Sequence, residues 1–271
     1  MTRFKFVLFV TLLVGFAALA YAGFDEGKSA YDRGDYAKAY KEFKKLAERG
    51  NADAQCRVGY MYERGQGLPQ DYTEAMKWYR KAANQGNNNA QFSLGVMYQR
   101  AQGVPKNNAE ALKWYRKAAK QGDDEAQFEL GLAYAEGQGV PHDYVEAVKW
   151  YRKAAEQGFP PAQRELGGLY ANGQGVPKDR PKAIRWYRKA AEQGDDEAQF
   201  ELGWAYADGK SVPQDFIQAY MWFDLAAAHE NDTYAEDYAG DFRDSLAEKM
   251  TPSQIAEAQR LAKEWKPKGQ H

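Results

Sequence analysis

The hexapeptide WYRKAA begins at Trp78, Trp114, Trp150 and Trp186, and a diverged copy, WFDLAA, begins at Trp222, each 36 residues after the last. A fixed period of this length limits what the chain can become more than its composition does. Each copy is one small unit that cannot bury its own apolar face, and stacked copies supply the missing surface. The units run 51–86, 87–122, 123–158, 159–194 and 195–230.

Columns read down the copies give the local structure. The first position holds Asn51, Asn87, Asp123, Phe159 and Asp195, and all but the phenylalanine are N-cap residues. A helical stripe follows, for example Ala90, Gln91, Leu94, Gly95 and Tyr98. Glycine inside a helix costs about 1 kcal/mol against alanine. Its return at Gly59, Gly95, Gly131, Gly167 and Gly203 implies a neighbouring helix too close for a side chain. A Gly-x-Gly-x-Pro turn ends this first helix, as at Gly65–Pro69, Gly137–Pro141 and Gly173–Pro177. Asp71, Asn107, Asp143, Asp179 and Asp215 then cap a second helix, with Glu74, Glu110 and Glu146 placed for a capping box. That helix carries WYRKAA as its packing seam and ends at Gly86, Gly122, Gly158 or Gly194.

These columns resemble the Sel1-like repeat family, a relative of the tetratricopeptide repeat, in five consecutive units. The resemblance implies an all-α fold: a right-handed α-solenoid of stacked antiparallel helix pairs, acting as an adaptor or scaffold in the cell envelope. Residues 23–50 read as a tetratricopeptide-like capping helix pair, 231–265 as C-terminal capping helices, and 266–271 as a frayed tail. The resemblance brings no catalytic residues. A cysteine-rich branch of the family is linked to β-lactam binding, but Cys56 is the only cysteine here and no Ser-x-x-Lys occurs.

Other chemistry finds no support in the sequence. A phosphate-binding loop needs G-x-x-x-x-G-K-[ST] after a strand; Gly203…Gly209-Lys210-Ser211 has one residue too many and a helix before it. His142, His229 and His271 share no metal-ligand spacing, so neither a metal nor a cofactor is expected. A net charge of −1 argues against nucleic acid as a partner. With 14% aromatic residues the core can form without disulfides.

Residues 1–22 differ from the rest. Arg3 and Lys5 precede an apolar run from Phe6 to Ala20, and Ala20-Tyr21-Ala22 suits a signal peptidase. The expectation is a signal peptide cut after Ala22, a periplasmic or secreted mature chain, and no stable membrane insertion after cleavage.

Variation among repeats marks a candidate surface. On the first helix, the third, seventh, tenth and fourteenth positions vary while sharing one face. That face offers Arg57, Tyr60, Arg64 and Arg100 early, then Glu129, Glu136, Glu165, Glu201, Trp204 and Asp208 late. The expected partner is another protein, held through a peptide or helix in a concave groove with the aromatics as anchors. The second helices carry a basic ladder at Lys77, Arg80, Lys81 and their copies, which reads as helix-dipole complement and Glu–Lys pairing. Binding of a cell-wall polymer or membrane surface through that ladder, and an envelope enzyme such as a β-lactamase, are the alternatives.

Overall fold

The structure, a computed structural model, describes residues 23–228 and 234–268. The expected signal segment 1–22, His229 and His271 lie outside the described residues. The described residues form fourteen α-helices and no strand. They fall into two compact units. In the first, α1 (23–32) and α2 (Tyr36–Glu48) make the cap pair. The pairs α3 (Ala52–Arg64) with α4 (Tyr72–Asn84), and α5 (Asn88–Gln99) with α6 (Asn108–Lys120), follow. The second unit pairs α7 (Asp124–Glu136) with α8 (Tyr144–Glu156), α9 (Pro160–Asn172) with α10 (Arg180–Ala191), and α11 (Asp196–Asp208) with α12 (Phe216–Ala227). It closes with α13 (Tyr234–Ala247) and α14 (Pro252–Glu264). Each unit is a stack: the two helices of each 36-residue pair pack together, α2 packs on α3, α4 on α5, α8 on α9 and α10 on α11, and α12 meets both α13 and α14. This is the architecture of an α-solenoid, as the period implies.

The caps form as the sequence predicts. Asn51, Asn87 and Asp195 accept the N3 amide of their first helices. Phe159 makes no such bond, and Pro160 and Pro161 remove two of the amide donors at that end. The expected capping boxes at Glu74, Glu110 and Glu146 do not form. Each of these carboxylates pairs instead with the lysine three residues on, Lys77, Lys113 or Lys149. The amide the box would satisfy is already used: Asp71, Asn107 and Asp143 donate it to the carbonyls of Tyr62, Tyr98 and Tyr134 at 2.9 Å.

The mid-helix glycines meet aromatic rings. A Cβ at Gly95 would lie 2.4 Å from the Tyr115 ring, and one at Gly131 would lie 2.5 Å from Tyr151. Tyr79, Tyr115 and Tyr151 are fully buried because the facing helix has no side chain there. Ala101 departs from the pattern, holding φ +58° where the other repeats place glycine.

Three kinds of side-chain link hold the stack, two between successive pairs and one, glutamine to glutamine, within a pair. Buried Gln55, Gln91, Gln163 and Gln199 donate across to Ala47, Ala83, Ala155 and Ala191 carbonyls. Gln85, Gln121, Gln157 and Gln193 then donate to the side-chain oxygens of Gln55, Gln91, Gln127 and Gln163. Arg80, Arg152 and Arg188 reach the hydroxyls of Tyr98, Tyr170 and Tyr206 in the following first helix. Trp114, Trp150 and Trp186 are only partly buried, so the seam is carried by the tyrosine and alanines more than by the indole. Lys81, Lys117, Lys153 and Lys189 cover the outer ring faces at 3.7–4.2 Å. The cations of the basic ladder other than Arg185 are thus engaged within the fold.

At the C-terminal end, Thr251 and Gln254 form a full capping box. The expectation of a frayed tail from Lys266 is corrected as far as Lys268. The Lys268 amide donates to the Glu192 carbonyl at 2.7 Å, and its ammonium lies 2.9 Å from the Glu192 carboxylate. Trp265 packs edge-on against Trp222 at 6.3 Å, which brings this segment onto the stack.

Candidate functional site

The varying columns of the first helices emerge on exposed or half-buried positions. In the first unit, Arg57 and Tyr60 line a cavity of about 370 Å³ together with Asp53, Cys56 and Tyr79. The Arg64 guanidinium lies over the Tyr60 ring at 5.5 Å. Arg100 is exposed at the end of α5 and does not line that cavity. Desolvation pushes the Cys56 thiol up to about 12, so it stays protonated at neutral pH.

In the second unit, Glu201, Trp204 and Asp208 line one cavity of about 320 Å³ with Ala183, Ile184 and Tyr187. Trp204 is 41% exposed and rests edge-on against Phe242 of α13 at 4.7 Å. Asp208 pairs with Lys210 at 2.6 Å. Glu165 and Glu201 line a second cavity, of about 300 Å³, with Arg164, Gly168 and Tyr187. The two cavities share Tyr187 and Glu201. Glu129 and Glu136 line neither; Glu136 accepts instead from Gln138.

Sequence reading missed Arg164. It stands at the sixth position of its repeat, where the others carry Cys56, Phe92, Phe128 and Phe200. Phe92, Phe128 and Phe200 each pack on the ring buried by the second helix: Tyr115, Tyr151 and Phe223, all at 5.6 Å. The Tyr79 and Tyr187 rings lack that phenylalanine, and both line cavities of the first-helix face. The tenth position enlarges the second opening, since Gly168 stands where Tyr60, Val96, Leu132 and Trp204 put side chains. The readable signal was two departures in one repeat, an arginine in an aromatic column and a glycine four residues later.

The electrostatics follow from this packing. Arg164 is held by Glu197, by Glu165 at 3.3 Å and by Asp195 at 3.5 Å. Glu201 has no ion-pair partner among the described residues. Desolvation raises the carboxyls of both Glu165 and Glu201 above their usual range, at Glu165 against the pull of Arg164. Tyr79 and Tyr115 donate their hydroxyls to Glu63 and Gln99 at 2.7 Å. In the later repeats that acceptor position holds Ala135 and Ala171, and the Tyr151 hydroxyl is buried without a partner. Among the described residues, no cluster of His, Cys, Asp and Glu could hold a metal ion.

Comparison with known proteins gives three findings. The Sel1 repeat model matches residues 52–87, 88–123, 124–159, 160–195 and 196–231. Among solved structures, a Sel1 repeat protein from Oxalobacter formigenes is similar at 38% identity and TM-score 0.76, covering 89% of this chain and 99% of that one. A protective antigen of uropathogenic Escherichia coli, displaying an SLR fold, is similar at 31% identity and TM-score 0.59 over 91% of this chain and 60% of that one. No curated protein matches the chain.

Proposed function

The chain belongs to the Sel1 repeat family, and from that premise we propose that it is an exported, non-enzymatic scaffold whose first-helix face holds a segment of another protein. The observation that carries this reading is the division of labour among columns. The unchanging columns are consumed by links within the stack: glycine under tyrosine, glutamine to glutamine, arginine to tyrosine. Within each unit the changing columns collect on the first-helix face, and there the cavities open, with Tyr60 in one and Trp204 in the other as half-open aromatics. Aromatic residues in partly desolvated pockets are the usual anchors of a protein interface. Export rests on the charged, apolar and small-residue order of positions 1–22. No helix among the described residues is long and apolar enough to cross a membrane.

The test is affinity capture from envelope extract with the chain beginning at Gly23, followed by mass spectrometry. Trp204→Ala and the double change Arg57→Glu with Arg64→Glu are run beside it. Loss of a captured protein from at least one variant, with thermal melting retained, is the expected result. An identical set of captured proteins from all three would remove the face from the account.

A further inference from the structure

The two cavities of the second unit meet at one carboxylate and one hydroxyl, and both lack a protein partner. The Glu201 carboxylate forms no ion pair or hydrogen bond among the described residues. Tyr187 is 93% buried (7% exposed), and its hydroxyl has no hydrogen-bond partner among the described residues. The equivalent hydroxyls of Tyr79 and Tyr115 are both satisfied, by Glu63 and Gln99. The Tyr187 hydroxyl lies 3.7 Å from where a Cβ of Gly168 would stand, within the opening that the missing phenylalanine and missing tenth-position side chain create. Tyr187 lines both cavities, so a bound group can reach this hydroxyl. The local charge is also unbalanced. Glu165, Glu197 and Glu201 face one cation, Arg164, whose guanidinium is shared among Glu197, Glu165 and Asp195. An acceptor-rich pocket of this kind fits a ligand that brings hydrogen-bond donors and positive charge.

The adjoining cavity differs in character. Ala171, Ala183, Ile184 and Ala205 line it with Trp204, and its lining is mostly apolar. Arg180 and Lys210 also reach it, the latter neutralised by Asp208. A group entering here leaves water for alkyl and indole surface.

We propose that repeat 159–194 and the start of the next form a paired pocket for a partner segment carrying a lysine or arginine beside an apolar residue. The cation enters between Glu165 and Glu201, within reach of the Tyr187 hydroxyl. The apolar side chain enters against Ile184 and Trp204. This inference rests on the scaffold reading above and names the chemistry of the segment that the face accepts. The occupant is a protein segment, not a free amine, because the two cavities adjoin and ask for two different groups at a fixed separation.

The test uses the whole chain from Gly23, labelled for nuclear magnetic resonance, and two blocked tetrapeptides: glycine-lysine-leucine-glycine and its twin with glutamate in place of lysine. The lysine peptide is expected to shift the Gly168 amide and the Trp204 indole signals saturably, and the glutamate twin to leave both unmoved. Glu201→Gln should weaken the lysine peptide about tenfold. Gly168→Leu, which places the side chain that Leu132 supplies in the preceding repeat, should abolish the shifts while thermal melting is kept. Equal response to the two peptides, or none to either, overturns the proposal. Butylammonium shifting both signals as strongly as the peptide would also overturn it, since the occupant would then be a small amine. If envelope capture persists while the peptides fail, the pocket chemistry falls and the scaffold reading stands; if both fail, both readings fall.

Discussion

Glu165 shows at the scale of one residue how this face departs from what stability alone would select. Its carboxyl is raised by desolvation, against the lowering pull of Arg164. The folded chain therefore holds a proton at pH values where the unfolded chain has released it. The stability that this proton brings is fully present below the ordinary value of 4.5 and is lost as pH rises through the folded value. At neutral pH the charge is a burden on folding. Glu165→Gln should raise stability at pH 7, by no more than about 0.5 kcal/mol for so open a group. The gain should vanish below the ordinary carboxylate range. Denaturant unfolding of wild type and variant at both pH values checks this; a variant that is less stable at pH 7 would mean that the Arg164 contact outweighs desolvation. Charges whose burial costs stability collect where a partner is to be met.

At the scale of the helix pair, one contact decides the spacing: a glycine of the first helix under an aromatic ring of the second. Two effects oppose each other if that glycine becomes alanine. Helix propensity favours alanine by about 1 kcal/mol. The added Cβ at Gly131 would stand 2.5 Å from the Tyr151 ring, which is itself buried on every side. Forcing one carbon into a packed core costs about 1–3 kcal/mol, and at so short an approach the clash prevails, so Gly131→Ala should lose up to about 2 kcal/mol. Gly168 is the natural control, one repeat later on the open face, where the nearest atom to an added Cβ is 3.7 Å away. Gly168→Ala should gain up to about 1 kcal/mol from propensity alone. Matched denaturant curves decide it, and equal signs for the two changes would refute this account of the column. The glycine column was readable in the sequence because its recurrence had no local benefit to explain it. The glutamine pairs were not. Gln85, Gln121, Gln157 and Gln193 sit at helix ends, where a polar residue looks merely solvated, and only the arrival of Gln55, Gln91, Gln127 and Gln163 from the neighbouring helix makes them partners.

At the scale of the whole molecule, the repeat makes stability a sum of neighbour contacts, and that shapes both what sequence can reveal and what a mutation can do. The stacked helix pairs follow from periodicity, since each column reports one contact five times. A site is a departure from that average, and a single departure is weak evidence until its surroundings are known. Arg164 in a column of phenylalanines gained meaning only with Gly168 beside it and the bare Tyr187 hydroxyl beneath. The ends of the stack are departures too. Trp265 follows α14, packs on Trp222 of α12 and lies beside Gly194, while Lys268 ties to Glu192 at the end of α10. Replacing this half-buried ring by alanine should cost about 2 kcal/mol, short of the 3–5 kcal/mol of a fully buried one. In a globular domain that loss would spread through every amide. In a stack, each pair feels chiefly its neighbours, so the loss should fade along the second unit. Amide hydrogen exchange of Trp265→Ala should show protection falling most in α12 and α14, less in α10, and least in α7 and α8. A uniform fall from α7 to α14 would show that the second unit unfolds as one block, and the neighbour-sum picture would fail there.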